Sequence, residues 1–154
     1  MSNREMVFEL ASTLRAAIEI TPRTGTTLES FPFYSCGVAT ALLCEYLLQH
    51  GIKSRYHCGE CYYGPEMKYQ THAWTVLENG IIVDITGDQF KEKAEFLNND
   101  IPVYVGPTNS FYDLFTGTQT DHEGGMNYYY PPDIQLRALY NRIIANICPT
   151  IQKN

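Results

Sequence analysis

The sequence predicts an α+β domain in which three helices accompany a small antiparallel sheet. Apolar residues recur at spacings of three and four near both ends of the chain, and an apolar run of good helix formers lies between them. Short strand-like segments, separated by turn residues, follow that run. Because 154 residues correspond to about one domain, we expect a single domain over residues 1–154.

The predicted helices, in chain order, span residues 3–20, 36–50 and 134–147. Thr21-Pro22 stops the first helix, and Gly51 can end the second one with a positive φ. Pro131-Pro132-Asp133 is typical of a helix start and opens the third. Residues 21–35 are rich in Thr, Gly, Pro and Ser, which predicts a loop that leads into the second helix.

The predicted strands span residues 52–58, 72–77, 81–85 and 101–105. Glu78-Asn79-Gly80 separates the second strand from the third, and this pattern indicates a hairpin. Pro102 favours an edge position or a strand start for the fourth strand, since proline has no N–H to donate to a neighbouring strand. Residues 106–130 show no strand pattern and are predicted to form a loop.

Charge and cysteine content limit the partners and the compartment. Eleven Lys and Arg residues stand against 17 Asp and Glu residues, and the formal net charge of −6 disfavours binding to nucleic acid. No apolar stretch approaches the roughly 18 residues that a membrane-spanning helix needs. The five cysteines are odd in number in a chain too large for a small disulfide scaffold. We therefore expect a cytoplasmic protein, or one delivered into a target cell by a route that is not visible in the chain.

Cys36 is the candidate nucleophile because of its position. It follows a loop and opens the predicted apolar helix, where unpaired N–H groups and the positive end of the helix dipole lower the pKa of a thiol. Gly37 leaves the sulfur accessible. The alternative is that Cys36 is a small buried hydrophobic residue, as we expect for Cys44, which lies among leucines inside the same helix.

His72 and Asp84 are the candidate partners of this thiol, and the hairpin register decides whether they can meet. A two-residue loop, Asn79-Gly80, would pair residue 72 with 87 and turn Asp84 to the opposite face of the sheet. A three-residue loop, Glu78-Asn79-Gly80, with its glycine at positive φ, pairs residue 72 with 86. Asp84 then lies on the same face as His72, about 7–8 Å away diagonally. The sequence thus predicts a triad of Cys36, His72 and Asp84.

Four segments carry a resemblance to a known superfamily. They are Ser35-Cys36-Gly37 at the helix start, Gly51-Ile52 before the strands, Thr71-His72-Ala73-Trp74, and Val83-Asp84-Ile85-Thr86. Together they resemble the core of the transglutaminase-like division of the papain-like thiol superfamily, over about residues 31–90. Phe31-Pro32 and the continuation from Asp84 to Phe90 are similar to a group of small bacterial papain-fold proteins.

The resemblance implies a papain-like or transglutaminase-like fold and a function for each residue of the triad. Cys36 would be the nucleophile, His72 the base and Asp84 the acid that orients the base. It implies an acyl enzyme that acts on a protein or peptide substrate through a thioester, as a peptidase or a protein-glutamine deamidase. Transglutaminase or acyltransferase activity with the same triad is the alternative, as is a catalytically silent binding module. A bacterial effector, toxin or defence protein is the implied setting.

This chain departs from papain itself in two respects. His72 follows Cys36 by only 36 residues, and the papain sequence signature around the cysteine is absent. No Gln or Asn occurs between Thr24 and Ser35, so the upstream amide that completes the oxyanion hole in papain-like proteases has no match. Gln89 and Tyr34 are our candidates for that second donor.

Trp74 either shields the triad from water or is an ordinary core aromatic. Arylamine N-acetyltransferases have a similar order of residues but are larger and need an acetyl-CoA site, which we do not find here.

Other motifs give weaker indications. Cys58-Gly59-Glu60-Cys61 is a single CxxC motif, whereas a structural zinc site commonly uses two such pairs and a redox motif lies at a helix start. We expect ordinary thiols here, and no metal or cofactor, although a zinc-stabilised adaptor is a rival hypothesis. Tyr128-Tyr129-Tyr130 could stack on a ligand, but a core rim or an interface is the simpler interpretation. His122 is expected in a solvated loop.

Overall fold

Residues 3–129 and 131–147 are described by a computed structural model of the chain. They form three α-helices and a five-stranded antiparallel sheet, which confirms the α+β class. The helices are α1 (Asn3–Ile20), α2 (Cys36–Gln49) and α3 (Ile134–Ala145). The strands are β1 (Ser54–Tyr63), β2 (Lys68–Leu77), β3 (Ile82–Asp84), β4 (Tyr104–Gly106) and β5 (Gly117–Glu123). Their order in the sheet is β4-β3-β2-β1-β5. None of the helices that these residues form is long and apolar enough to cross a membrane.

The helices begin and end close to the predicted positions. Helix α1 has the predicted bounds, and α2 begins at Cys36 as predicted. Gly51, two residues beyond α2, has a φ of 77°, the left-handed conformation that glycine adopts without strain. The carboxylate of Asp133 accepts a hydrogen bond from the Leu136 N–H (2.9 Å) and caps α3. This helix ends at Ala145, two residues before the predicted end at residue 147.

The first four strands exist, but their bounds differ from the predicted ones. β1 begins at Ser54 and continues to Tyr63, five residues beyond the predicted end at residue 58. β2 begins at Lys68, four residues before the predicted start. β4 begins at Tyr104 instead of residue 101, which leaves Pro102 outside the ladder. β4 is an edge strand of the sheet, as the proline predicted.

The hairpin of β2 and β3 has the three-residue loop. Thr75 pairs with Val83 and Val76 with Ile82. The Leu77 N–H donates to the Ile81 carbonyl (2.8 Å), which closes the loop over residues 78–80. Gly80 has a φ of 85°, as that turn requires. This register places residue 72 opposite 86 and confirms that His72 and Asp84 share a face.

The loop predicted over residues 106–130 is wrong, since it contains β5. This strand pairs with β1 and forms the other edge of the sheet. Its residues, GTQTDHE, are polar on both faces, and edge strands that are open to solvent need no apolar alternation. His122, predicted to lie in a solvated loop, is in β5. Its ring stacks on the rings of Tyr56 and Tyr128, with centroids 4.7 and 3.8 Å away.

The sheet separates two buried layers. α2 packs against β1 and β2, as predicted for the helix that carries Cys36, and all three helices contribute to the core on this face. On the opposite face, segments between β3 and β5 form a layer dominated by aromatic side chains. We call it the aromatic layer; its buried members are Trp74, Ile82, Phe90, Phe96, Phe111, Tyr112 and Phe115.

Arg15 of α1 fixes the segment that follows β3. Its guanidinium donates to both carboxylate oxygens of Asp88 at 2.8 Å and to the carbonyls of Ile85 and Pro102 at 2.9 Å. The side chains of Arg15 and Asp88 are only 11% and 15% exposed. A planar guanidinium suits this bidentate contact. The anchor therefore holds in place the segment that carries Gln89.

Candidate active site

Cys36 is the first residue of α2, and the residue is partly exposed. The preceding Ser35 makes no side-chain hydrogen bond to the helix, because its hydroxyl donates to the Phe33 carbonyl instead (2.8 Å). The N–H groups of the first helical turn therefore stay available to an anion. The thiol hydrogen-bonds to the side chain of His72 and to the backbone of Ala73.

His72 and Asp84 form a buried hydrogen-bonded pair. Nε2 of His72 lies 2.7 Å from Oδ2 of Asp84, and the two residues are 0% and 2% exposed. Since Nε2 faces the carboxylate, Nδ1 is the ring nitrogen that is left for the thiol. The structure thus brings all three predicted triad residues into one chain of hydrogen bonds, with Cys36 at its accessible end.

The end of β3 explains how the thiol reaches a histidine on the other face of the sheet. In an antiparallel ladder, every second residue directs its backbone polar groups to the same neighbour. The backbone of Leu77 bonds to that of Ile81, so the backbone polar groups of Thr75 and Ala73 also point toward β3. β3 pairs with β2 only at Thr75 and Val76. The backbone of Ala73 therefore has no partner on β3, and the Cys36 thiol interacts with it instead.

Asp84 has two further partners that the sequence analysis missed. The Tyr112 hydroxyl donates to Oδ2 (2.8 Å), and the Thr86 N–H donates to Oδ1 (2.9 Å). The Thr86 contact is an Asx-type turn, which an Asp two residues before a threonine can signal. The Tyr112 contact joins residues 28 positions apart, and no local pattern indicates it. These donors stabilise the ionised carboxylate.

Aromatic rings surround the imidazole of His72. Phe90, Trp74, Phe111 and Phe115 have ring centroids 5.1, 5.6, 5.7 and 5.7 Å from it. Trp74 is 5% exposed and belongs to the aromatic layer, with its ring 5.6 Å from the imidazole, which fits both a shielding role and that of a core aromatic. With water excluded, the hydrogen bonds of His72 act in a medium of low polarity.

The pKa values of the three groups shift toward an ion pair. Burial alone raises the pKa of the Cys36 thiol, but its hydrogen bond to His72 and the charge of that ring outweigh burial and lower the pKa below its usual value. Burial alone lowers the pKa of His72, but the charge and hydrogen bond of Asp84 raise it to about 9. The pKa of Asp84 falls despite burial, mainly through His72. At neutral pH these shifts favour a thiolate beside an imidazolium.

The other described cysteines shift in the opposite direction. Burial raises the pKa of Cys44, which is 1% exposed and contacts the Thr75 hydroxyl (3.4 Å); its predicted core position is confirmed. Burial also raises the pKa of the Cys58 thiol to about 11 and raises that of Cys61. Cys148 lies outside the described residues. Among the described thiols, Cys36 alone combines an activated pKa with a partner base.

Gln89 belongs to the candidate site, whereas Tyr34 is turned away from it. The side-chain amide nitrogen of Gln89 lies 3.3 Å from Nδ1 of His72. Tyr34 has a φ of 58° and is 92% exposed. Its ring therefore projects into solvent, and the structure gives no support to its predicted oxyanion contact.

The CxxC motif lies in the middle of β1. The side chains of residues three apart on a strand point to opposite faces of the sheet. Cys58 therefore lies on the face that the helices cover, and Cys61 packs against the aromatic layer. The two sulfurs therefore cannot ligate one ion. Within residues 3–129 and 131–147 there is no group of three or more His, Cys, Asp or Glu side chains arranged to hold a metal.

A cavity of about 590 Å³ adjoins the first turn of α2. We call it the α2 cavity; its walls include Thr26, Thr27, Gly37, Val38, Tyr56 and Leu139. Its lining combines hydroxyl groups with apolar side chains, as ligand-binding clefts do. Gly37, which directly follows the candidate nucleophile, is the lining residue nearest to it in the chain, and Cys36 itself is not among the lining residues.

Comparison of the chain with protein-family models, with curated proteins and with solved structures gave no match. The assignment of a function therefore depends on the geometry of the site.

Proposed function

We propose that this chain is a cysteine-dependent acyl enzyme with a papain-like or transglutaminase-like core, and that it hydrolyses a carboxamide or peptide bond of a protein substrate. The observation that carries the proposal is the hydrogen-bonded chain from the Cys36 thiol through the His72 ring to the Asp84 carboxylate. A thiol at a helix start, a buried histidine and a carboxylate on its second ring nitrogen are the parts of a nucleophilic triad. The resemblance of residues 31–90 to the superfamily supports the same function.

Acylation begins from the thiolate–imidazolium pair. The Cys36 sulfur attacks the carbonyl carbon, a C–S bond forms, and the carbonyl π electrons move onto the oxygen. The oxyanion then collapses and the C–N bond breaks. His72 gives its proton to the departing nitrogen, so that an amine or ammonia leaves and a thioester remains. Asp84 keeps the imidazole oriented throughout.

Deacylation regenerates the thiol by the reverse proton path. The neutral His72 takes a proton from water, the hydroxide adds to the thioester carbon, and the C–S bond breaks. The product is a carboxylic acid, so the same site acts as a peptidase on a main-chain amide and as a deamidase on a glutamine side chain. If an amine replaces water, the product is a new amide. We favour hydrolysis because it needs no acceptor site beyond room for a water molecule.

Mass spectrometry of a proteome incubated with the protein tests the proposal. The wild type is compared with Cys36→Ala, and Cys61→Ser is the control that removes a thiol outside the site. New peptide termini identify a peptidase, conversion of Gln to Glu a deamidase, and incorporation of an added amine a transferase. We expect one of the first two with wild type and Cys61→Ser only. Identical spectra for wild type and Cys36→Ala would favour a non-catalytic binding module.

A further inference from the structure

We propose that the Tyr56 hydroxyl is the second donor of the oxyanion hole, together with the Cys36 N–H. This inference rests on the proposed function. It fills the position for which the sequence offers no upstream amide, and it assigns a catalytic contact to a residue in β1, on the strand next to the one that carries His72.

The position of the hydroxyl is the first argument. A methyl group added to Gly37 would lie 3.0 Å from the Tyr56 oxygen, so the hydroxyl directly approaches the first turn of α2. Tyr56 pairs with Thr75 on the face of the sheet that α2 covers. It also lines the α2 cavity beside Gly37. A carbonyl oxygen directed at the Cys36 N–H would therefore approach this hydroxyl.

The second argument is that the hydroxyl is free while its ring is fixed. Tyr56 is only partly exposed, yet its hydroxyl makes no hydrogen bond to any residue that the structure describes. Its ring lies parallel to that of His122 (interplanar angle 3°), which in turn stacks on Tyr128. A donor that is held in place and left without a partner is preorganised for charge that develops in the transition state. Burial raises the pKa of Tyr56, so the group keeps its proton.

Gln89 is the competing candidate, and its contact argues against it. Its amide nitrogen is directed at Nδ1 of His72, 3.3 Å away, within the imidazole side of the site. Tyr56 lines the α2 cavity beside Gly37, the neighbour of Cys36, whereas Gln89 and Cys36 itself are not among the lining residues. The Gln89 amide thus lies beside the imidazole, whereas the Tyr56 hydroxyl lies beside Gly37, the residue that follows the candidate nucleophile.

Two electrophilic reagents that react with the Cys36 sulfur distinguish stabilisation of an oxyanion from activation of the thiol. Iodoacetamide alkylates a thiolate at a saturated carbon: a C–S bond forms, iodide leaves, and no oxyanion arises. p-Nitrophenyl acetate is attacked at its carbonyl: a tetrahedral oxyanion forms, and p-nitrophenolate leaves with the electron pair of the broken C–O bond. Tyr56 donates a hydrogen bond to that oxyanion and retains its proton. Only the second reaction depends on the proposed contact.

The test compares wild type, Tyr56→Phe and Tyr62→Phe by the initial rate of p-nitrophenolate release with the ester and by the rate at which intact mass reports one adduct with iodoacetamide. Cys36→Ala gives the background for both reactions. Tyr62 lies farther along the same strand and is 61% exposed. For Tyr56→Phe we expect acetylation to slow by about 10²-fold, the usual effect of removing one oxyanion donor, while alkylation stays within about twofold. Tyr62→Phe should match wild type with both reagents.

The outcomes distinguish the two proposals. If wild type is acetylated at Cys36 and Tyr56→Phe is acetylated equally fast, the role of Tyr56 is overturned and the acyl-enzyme proposal stands. If Tyr56→Phe slows both reactions equally, the residue acts on the thiol or on the fold, and the oxyanion role is again overturned. If the wild type releases no p-nitrophenolate above the Cys36→Ala background, both proposals fail.

Discussion

The Tyr112 hydroxyl and the His72 imidazole bind the same oxygen of Asp84. Tyr112 donates at 2.8 Å and Nε2 of His72 lies at 2.7 Å from that Oδ2 atom. Because the Tyr112 hydroxyl also donates to this oxygen, the carboxylate interacts less strongly with the imidazolium than it would alone. Tyr112 is in this sense a positioning residue that adjusts the basicity of His72 from the aromatic layer.

Tyr112→Phe should raise the pKa of His72 further above about 9, because the carboxylate then interacts with the imidazolium alone. The buried carboxylate also loses a donor, and we expect the free energy of unfolding to fall by about 1–3 kcal/mol. NMR titration of the His72 ring measures the first effect and urea unfolding the second. Tyr104→Phe is the control, since the Tyr104 hydroxyl donates to the Pro107 carbonyl and not to Asp84. An unchanged or lower pKa in Tyr112→Phe would contradict the shared-oxygen model.

Cys36 should be the first cysteine alkylated in the native protein, with an apparent pKa below that of a free thiol. The lowered pKa comes from His72, which outweighs the opposing effect of burial, so His72→Ala should react more slowly at neutral pH. Peptide mapping after brief exposure to iodoacetamide over a range of pH measures both effects. Earlier modification of Cys61, which is also partly exposed but has a raised pKa, would show that the nucleophile is assigned wrongly.

Cys36→Ala should lose stability as the pH rises from about 6.5 through the folded pKa of His72, which lies below the wild-type value of about 9 because the thiol no longer contributes to it. Asp84 outweighs the effect of burial and raises the pKa of His72 in the folded protein, whereas an unfolded histidine has a pKa of about 6.5. The folded state thus binds this proton more tightly, and its stabilisation is complete below pH 6.5 and lost as the pH rises through the folded value. The Cys36 thiol has a lowered pKa in the folded protein, so its ionisation would increase stability as the pH rises; the alanine removes this opposing effect.

Urea unfolding of Cys36→Ala at about pH 6 and about pH 9 measures this loss, which we expect to be no more than about 3 kcal/mol. The double variant Cys36→Ala/His72→Gln is the control, because glutamine can still donate to Asp84 but does not titrate. Stability that increases with pH in the single variant, relative to this control, would contradict the raised pKa of His72.

Gly37→Ala should slow acetylation by p-nitrophenyl acetate and leave alkylation by iodoacetamide unchanged. Its methyl group would lie 3.0 Å from the Tyr56 hydroxyl, so the hydroxyl must move by a few tenths of an ångström. Alanine favours a helix over glycine by about 1 kcal/mol, and we expect no loss of stability. Adduct rates and urea unfolding check the two expectations. Equal slowing with both reagents would indicate that the methyl group blocks access to Cys36 instead.

Arg15→Ala should destabilise the protein by about 3–5 kcal/mol, because it leaves the Asp88 carboxylate, 15% exposed, without its partner. Arg55→Ala is the matched control: the Arg55–Asp121 pair is 54% and 34% exposed, and such surface pairs contribute about 0–1 kcal/mol. Chemical denaturation of both variants measures the difference. Similar losses in the two variants would show that the buried anchor contributes no more than a surface pair.

Much of the site follows from local sequence. A loop before an apolar run predicts that Cys36 begins a helix, because helix formation depends on neighbouring residues. The length of the loop at residues 78–80 predicts the hairpin register, because one residue more or less reverses every side chain of the strand. Those two local rules together indicate Cys36, His72 and Asp84, and the structure confirms the register and the shared face of the last two residues.

What depends on distant contacts could not be predicted in this way. β5 carries no apolar alternation, and only its hydrogen bonds with β1 make it a strand. The contact of Tyr112 with Asp84 and the approach of Tyr56 to Gly37 join segments whose separation in the chain carries no pattern. The sequence by itself determined the local elements and the residues they display, since these depend on interactions a few positions apart. The tertiary structure alone decided which donors contact the Asp84 carboxylate and which hydroxyl faces the helix that Cys36 begins, because those contacts depend on how the elements pack.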